Sequence, residues 1–301
     1  MDEPFVFIFI ISFIVSLLIT KLTIQILKDK KAVGKDFGLV VPDLHEKDKP
    51  LVPRLGGFGV FAGILAGLLI CSFYHETALF AAFLTILLIA IIGFVDDLFG
   101  VSEVWRVVFP MFAAIPLALT QIGYIILIPF GVTGASNATN MLAGFKGLGS
   151  GLGLISCSAL LVVALHLNAI PSALLLIATI GALLAFWFYN VQGKIFPGAT
   201  NYIIGAVMAC AVIMGEFELI GIIIIAPYFI ELILKVRSGF RVKWWGILQE
   251  DGTLKPASER IVSLPQLLMK HQNLTERKLV LELYGIQVCV CIVAVLIGVI
   301  L

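Results

Sequence analysis

TALFAAFLTILLIAIIGFVDDLFG, residues 77–100, joins an apolar run to two adjacent carboxylates, Asp96 and Asp97. Residues 77–95 carry no charge and match the length of a helix that crosses a hydrocarbon core about 30 Å thick. Backbone in lipid must satisfy its own hydrogen bonds, so such a run is a helix and not an open strand. Reading outward from it gives ten such runs, at 4–27, 56–74, 77–95, 104–121, 123–139, 148–167, 170–189, 200–216, 218–235 and 279–301. The alternating pattern of a transmembrane barrel is absent. Of the 301 residues, 60% are hydrophobic and 13% charged, against about 25% charged in a soluble domain. The expectation is an all-α, polytopic membrane protein forming one domain over 1–301.

The connections alternate sides. One set is about 28–55, 96–103, 140–147, 190–199 and 236–278; all 20 Lys and Arg lie in it or within a turn or two of it. The other set carries Asp2, Glu3, Glu76, Glu216 and Glu218, with His75 near by. Lys and Arg stay on the cytoplasmic side during insertion, so the first set is cytoplasmic and both termini are outside. Met1-Asp-Glu-Pro has no basic residue before the first run, which reads as a span and not a cleaved signal. The net charge of +1 gives no nucleic-acid signal, and no such partner is expected. The five cysteines lie inside apolar helices, as small packing residues. Asn137-Ala-Thr139 and Asn273-Leu-Thr275 match glycosylation acceptors, but both fall on the cytoplasmic side.

The polar motifs gather at the cytoplasmic ends. Asp96 and Asp97 face the negative pole of their own helix and repel each other. A divalent cation would offset both effects; solvation, or pairing with Arg106, would also explain them. Asn137 and Asn140 are three apart, on one helix face. A glycine-rich turn around Lys146 follows, of a kind whose backbone N–H groups suit phosphate; a simple polar cap is the other reading. Asn190 follows the aromatic cluster Phe186-Trp-Phe-Tyr, itself consistent with an interfacial belt. Arg237 and Arg241, four apart, suit a pyrophosphate or anionic lipid headgroups. Residues 260–271 have the spacing of a short amphipathic helix lying on the membrane.

Together these motifs resemble the polyprenyl-phosphate N-acetylhexosamine-1-phosphate transferase family, over nearly the whole chain. Pro53-Arg-Leu-Gly-Gly57 resembles its motif before the second helix, and Val95-Asp-Asp97 its acidic motif after the third. Asn137-Ala-Thr-Asn-Met-Leu-Ala-Gly-Phe-Lys-Gly147 is the most specific match and is similar to the eukaryotic pattern. Tyr189-Asn190 with Phe196-Pro-Gly-Ala-Thr200 resembles the motif that normally reads Phe-X-Gly-Asp. Leu264-Pro-Gln-Leu-Leu through Glu276-Arg-Lys-Leu resembles the eukaryotic and archaeal branch.

The resemblance implies transfer of a sugar 1-phosphate from a UDP-N-acetylhexosamine to polyprenyl or dolichyl phosphate at the cytoplasmic face, with UMP released. Mg²⁺ (or Mn²⁺) is the implied cofactor, held by Asp97 and Asn140. Asp96, Asp97 and position 199 become the catalytic positions, and Arg54, Arg106, Asn137, Asn140, Lys146, Asn190, Arg237 and Arg241 the substrate-binding ones. Ala199 departs from the family, because a methyl group cannot coordinate a cation; this version is expected to bind substrates and turn over poorly. The short connection near Gln121-Ile-Gly123 also departs from it. Residues 236–278 contain only His271, so the His-rich motif of the bacterial branches is missing and UDP-GlcNAc is the first choice of donor. An archaeal-type cell membrane is favoured, or the endoplasmic reticulum membrane in a eukaryote; a homodimer is compatible. A transporter or lipid flippase, or a catalytically silent lipid-binding relative, are the competing readings.

Overall fold

The computed structural model describes residues 4–29, 40–41, 52–71, 73–239 and 242–300. Its helices are α1 (Phe5–Asp29), α2 (Gly57–Ile70), α3 (Thr77–Phe99), α4 (Glu103–Ala113), α5 (Ile115–Ala118), α6 (Leu127–Met141), α7 (Leu148–His166), α8 (Ile170–Asn190), α9 (Thr200–Gly215), α10 (Glu218–Arg237), α11 (Leu264–His271) and α12 (Glu276–Ile300). Among the described residues, six of these (α1, α3, α7, α8, α10 and α12) are long and apolar enough to cross a membrane; α2 and α9 are shorter apolar helices. The chain is a multi-pass membrane protein.

Inside lipid the hydrophobic effect between helices is weak, and close packing through small residues takes its place. α2 shows this against α1: a Cβ at Gly59, Gly63 or Gly67 would collide with Thr20, the Ser12 backbone or the Ser12 hydroxyl. Ser16 secures α1 to α8 by donating to the Ala182 carbonyl at 2.8 Å. α9 is the interior pillar. It is buried almost throughout and packs on α3, α6, α7 and α8. The loop before it therefore reaches the middle of one end of the bundle.

The run expected at 104–121 is broken. Pro116 lacks the N–H that would continue α4 and crowds the carbonyl four residues earlier, so α4 stops at Ala113 and α5 begins at Ile115. The next helix begins at Leu127, after a 3₁₀ turn at Ile122–Tyr124.

The all-α expectation also missed two small antiparallel sheets. β1 (Val40–Val41) pairs with β2 (Val52–Pro53). β3 (Gly246–Leu248), β4 (Thr253–Pro256) and β5 (Leu274–Thr275) form a second sheet in that order. The helix expected within 260–271 is α11, capped by the Ser263 hydroxyl, which accepts from the Gln266 N–H. Its buried face packs on its own sheet: Met269 joins Leu254 and Leu274 in a core shared with Leu142, Leu148 and Leu279 of the bundle. In water, each such side chain contributes roughly 1.5–3 kcal/mol, which fastens the sheet to the helix ends.

Candidate active site

α3 ends where Gly100 turns with φ +70 and donates to the Asp96 carbonyl. The next segment folds back over the Asp96 carboxylate. Asp96 Oδ1 accepts from Arg106 Nε at 3.1 Å, Arg106 Nη2 at 2.8 Å and the Val101 N–H at 2.8 Å. The Tyr202 hydroxyl donates to Oδ2 at 3.3 Å. Asp97 points to the loop before α9, where its Oδ2 accepts the Ala199 N–H at 2.9 Å. Arg54 Nε lies 4.0 Å from Asp97 Oδ1, and its guanidinium is 5.8 Å from the centre of the Phe196 ring. Gly198 has φ +49, and a Cβ there would overlap the Asp97 carboxylate, so only glycine fits.

A cavity of about 320 Å³ opens beside these groups, lined by Arg54, Asp96, Asp97, Glu103, Arg106, Asn140, Asn201, Tyr202, Lys235 and Trp244 among others. A second, apolar groove of about 340 Å³, walled by Val107, Phe130, Leu232 and Val236, shares Glu103, Arg106 and Met141 with it. The polar cavity thus meets a lipid-compatible groove at Arg106. Three carboxylates face three cations around the cavity, so the lining is formally neutral.

The structure brings Arg54, Asp96, Asp97, Arg106 and Asn140 to one cavity and places the other candidates elsewhere. Asn137 lines the apolar groove instead, and its amide donates to the Arg106 and Thr133 carbonyls at 3.0 and 2.9 Å, tying α4 to α6. Glu276 accepts from the Lys146 backbone N–H at 2.9 Å and from its Nζ at 3.2 Å. Asn190 is a buried staple, accepting from Ser150 at 2.8 Å and donating to the Ile195 carbonyl at 2.9 Å. Arg237 ends α10 at an exposed position outside the cavity lining; Arg241 lies outside the described residues. Ala199 is fully buried, with its methyl between Gly57 and Gly93 and only its N–H turned to the site.

Sequence reading passed over Glu103, Asn201, Tyr202, Lys235 and Trp244. Their signal was weak, because each becomes a lining group only when distant helices meet. Among the described residues, no three His, Cys, Asp or Glu side chains form a metal cage. The cavity offers the Asp97 carboxylate and the Asn140 amide; the Asn201 Oδ1 is buried without a hydrogen-bond partner and lies against Gly149 of α7. An oxygen donor set this small fits a hard cation that keeps waters and takes substrate phosphates.

Residues 79–216, which hold the acidic pair, both asparagines and the loop before α9, match the family model described as glycosyl transferase family 4. A protein of Saccharolobus solfataricus, provisionally named UDP-N-acetylglucosamine–dolichyl-phosphate N-acetylglucosaminephosphotransferase, is 35% identical over 95% of this chain and 94% of its own. The chain belongs to glycosyl transferase family 4. A Sulfolobus acidocaldarius protein with the same provisional name is 31% identical over 95% of this chain and 94% of its own. A Bacillus subtilis protein, provisionally named undecaprenyl-phosphate N-acetylglucosaminyl 1-phosphate transferase, is 28% identical over 64% of this chain and 58% of its own.

Proposed function

We propose that this chain transfers an N-acetylhexosamine 1-phosphate, with GlcNAc 1-phosphate the first choice, from a UDP-sugar to polyprenyl or dolichyl phosphate and releases UMP. The observation that carries this reading is the junction at Arg106, where a polar cavity meets an apolar groove. A water-soluble donor and a lipid acceptor need such a junction. The names of the relatives agree with it. On this reading the ten runs all span, 104–121 as the broken pair α4 and α5, both termini lie outside, the site faces the cytoplasm, and the membrane is an archaeal-type cell membrane. Two copies pairing as a homodimer is compatible with the apolar exterior.

The chemistry joins two polyanions. A lipid phosphate monoester carries about −1.5 to −2 charge near neutral pH, and the donor brings a pyrophosphate. A formally neutral lining does not offset this repulsion, so a Mg²⁺ (or Mn²⁺) ion belongs to the proposal, and Asp97 and Asn140 would hold it. The ion supplies charge stabilisation at the transferred phosphoryl group. Arg106, held in orientation by Asp96, receives the lipid phosphate where groove and cavity meet. Arg54 lies beside Asp97 as a counter-charge and borders the donor side. The phosphate is already ionised, so these residues bind and align more than they move protons. With Ala199 supplying only a backbone N–H, slow turnover is part of the proposal.

The test is release of labelled UMP from UDP-GlcNAc by purified protein, with and without a polyprenyl phosphate and Mg²⁺. Release that requires both supports the reading. Movement of substrate across a vesicle membrane without UMP release would replace it with transport.

A further inference from the structure

Glu231 and Lys235 form a buried ion pair on α10, at 3.0 Å, with 1% and 5% of each residue exposed. Burying two charges is costly unless every donor and acceptor finds a partner, and here the partners come from three other elements. The Lys235 ammonium also donates to the Met141 carbonyl, the last of α6, and lies 4.3 Å from the centre of the Trp244 ring. An ammonium has three donors, and these contacts leave Lys235 ill placed to take a phosphate. Glu231 Oε2 accepts the Leu264 N–H at 2.7 Å, at the start of α11.

The wiring continues from there. Ser263 donates to the Trp244 carbonyl at 3.2 Å, and Gln266 donates to the Lys243 and Trp245 carbonyls at 2.8 and 3.2 Å. The Trp244 ring closes over Gly144, which has φ +105 and where any Cβ would overlap the ring. One charge pair therefore holds the end of α6, the turn that follows it and the segment carrying Trp244. Asn140 precedes Met141, and both Asn140 and Trp244 line the polar cavity.

We propose that Lys235 is a positioning residue: paired with Glu231, it fixes Asn140 and Trp244 as walls of the cavity that receives the nucleotide-sugar. This rests on the transfer reading above. A Lys235→Met change alone would strand a buried carboxylate and threaten the fold. The informative variant is Glu231→Gln with Lys235→Met, which removes both charges and keeps similar volumes. Made in the full chain and purified in detergent, it should elute and melt close to the wild type. Its Kd for UDP-GlcNAc, measured by calorimetry with Mg²⁺, should rise about tenfold or more, the scale of loss caused by a displaced positioning group, while the KM for lipid phosphate stays unchanged.

Trp244→Ala should raise the same Kd, and combining it with the double change should add little, because groups that act as a unit are not additive. If the double variant does not fold, Trp244→Ala alone still decides, since an unchanged Kd there overturns the proposal. So does an unchanged Kd in the double variant when the parent chain releases UMP, or equal rises in Kd for donor and KM for lipid. A wild type that neither binds UDP-GlcNAc nor releases UMP overturns the transfer reading and this inference with it.

Discussion

Ala199→Asp tests how the site manages charge. The Ala199 N–H lies 2.9 Å from Asp97 Oδ2, and the Ala199 methyl is held between two glycines that offer no polar group. Turned from those glycines toward Asp97, an added carboxylate would fall within the roughly 4–6 Å over which like charges couple strongly. At an effective dielectric constant near 20, that repulsion is roughly 3–4 kcal/mol. Without a divalent cation the variant should therefore melt lower, by on the order of 5–10 °C. A cation bound between the two carboxylates offsets most of this: at a hundredfold excess over its Kd it restores about 2.7 kcal/mol. Thermal denaturation in EDTA and in rising Mg²⁺ reads this directly: the variant should gain far more from Mg²⁺ than the parent chain. UMP release should rise with it. Equal Mg²⁺ responses in the two proteins, with no gain in release, would refute the view that position 199 adjoins a cation.

Three further changes probe the same geometry. Asp97→Asn keeps an acceptor for the Ala199 N–H and removes the charge, so Mg²⁺-dependent UMP release should fall by about 10²-fold or more with little change in melting temperature; initial rates and a melt check both. Arg106→Lys loses the two-pronged contact with Asp96, which an ammonium cannot reproduce; the KM for lipid phosphate should rise several-fold while that for UDP-GlcNAc holds, as rates at varied lipid phosphate will show. Gly198→Ala puts a methyl into the Asp97 carboxylate at φ +49, and should cost about 1–3 kcal/mol of stability and most of the rate, by calorimetry and UMP release.

Much of this was legible because lipid enforces simple rules. An uncharged run such as 77–95 has few alternatives to a helix, and the carboxylates that end it had to meet solvent, a cationic side chain such as Arg106, or a metal. Arg106 was therefore readable as a partner of the acidic pair, and the structure gives it Asp96. Asn137 and Lys146 fall outside the polar cavity for one reason: helical spacing tells which residues share a face, not which neighbour that face meets. Asn137 meets the Arg106 carbonyl, and Lys146 meets Glu276 from a helix that starts far along the chain. The sheet from β3 to β5 was missed because its strands are two to four residues long, too short for a period to register. Lys235 was visible only as a charge near a helix end; its burial depends on Trp244 and α11, which no local pattern reveals.

Where the polar groups sit also weighs against a transporter. A carrier needs ionisable or polar groups near the bilayer midplane and a path to both sides. Here Arg54 precedes α2, Asp96 and Asp97 end α3, Arg106 begins α4, Asn140 ends α6, Asn201 begins α9 and Lys235 lies near the end of α10. All face one cavity at one end of the bundle. Deeper in, Gln287 donates to Ser156, which bonds Tyr228; this chain is uncharged and fully buried, a tie between α7, α10 and α12 and not a route. The larger groove between α6, α9 and α10 is almost wholly apolar along Leu127, Ile128, Met208 and Ile222, a surface for hydrocarbon. Phe229 borders that groove with its ring against Gly134, which lines the groove leading to Arg106. A lipid lying along α6 would keep its chain in hydrocarbon while its phosphate reaches the cavity, and nothing charged would have to cross. That geometry suits the proposed transfer at the membrane surface.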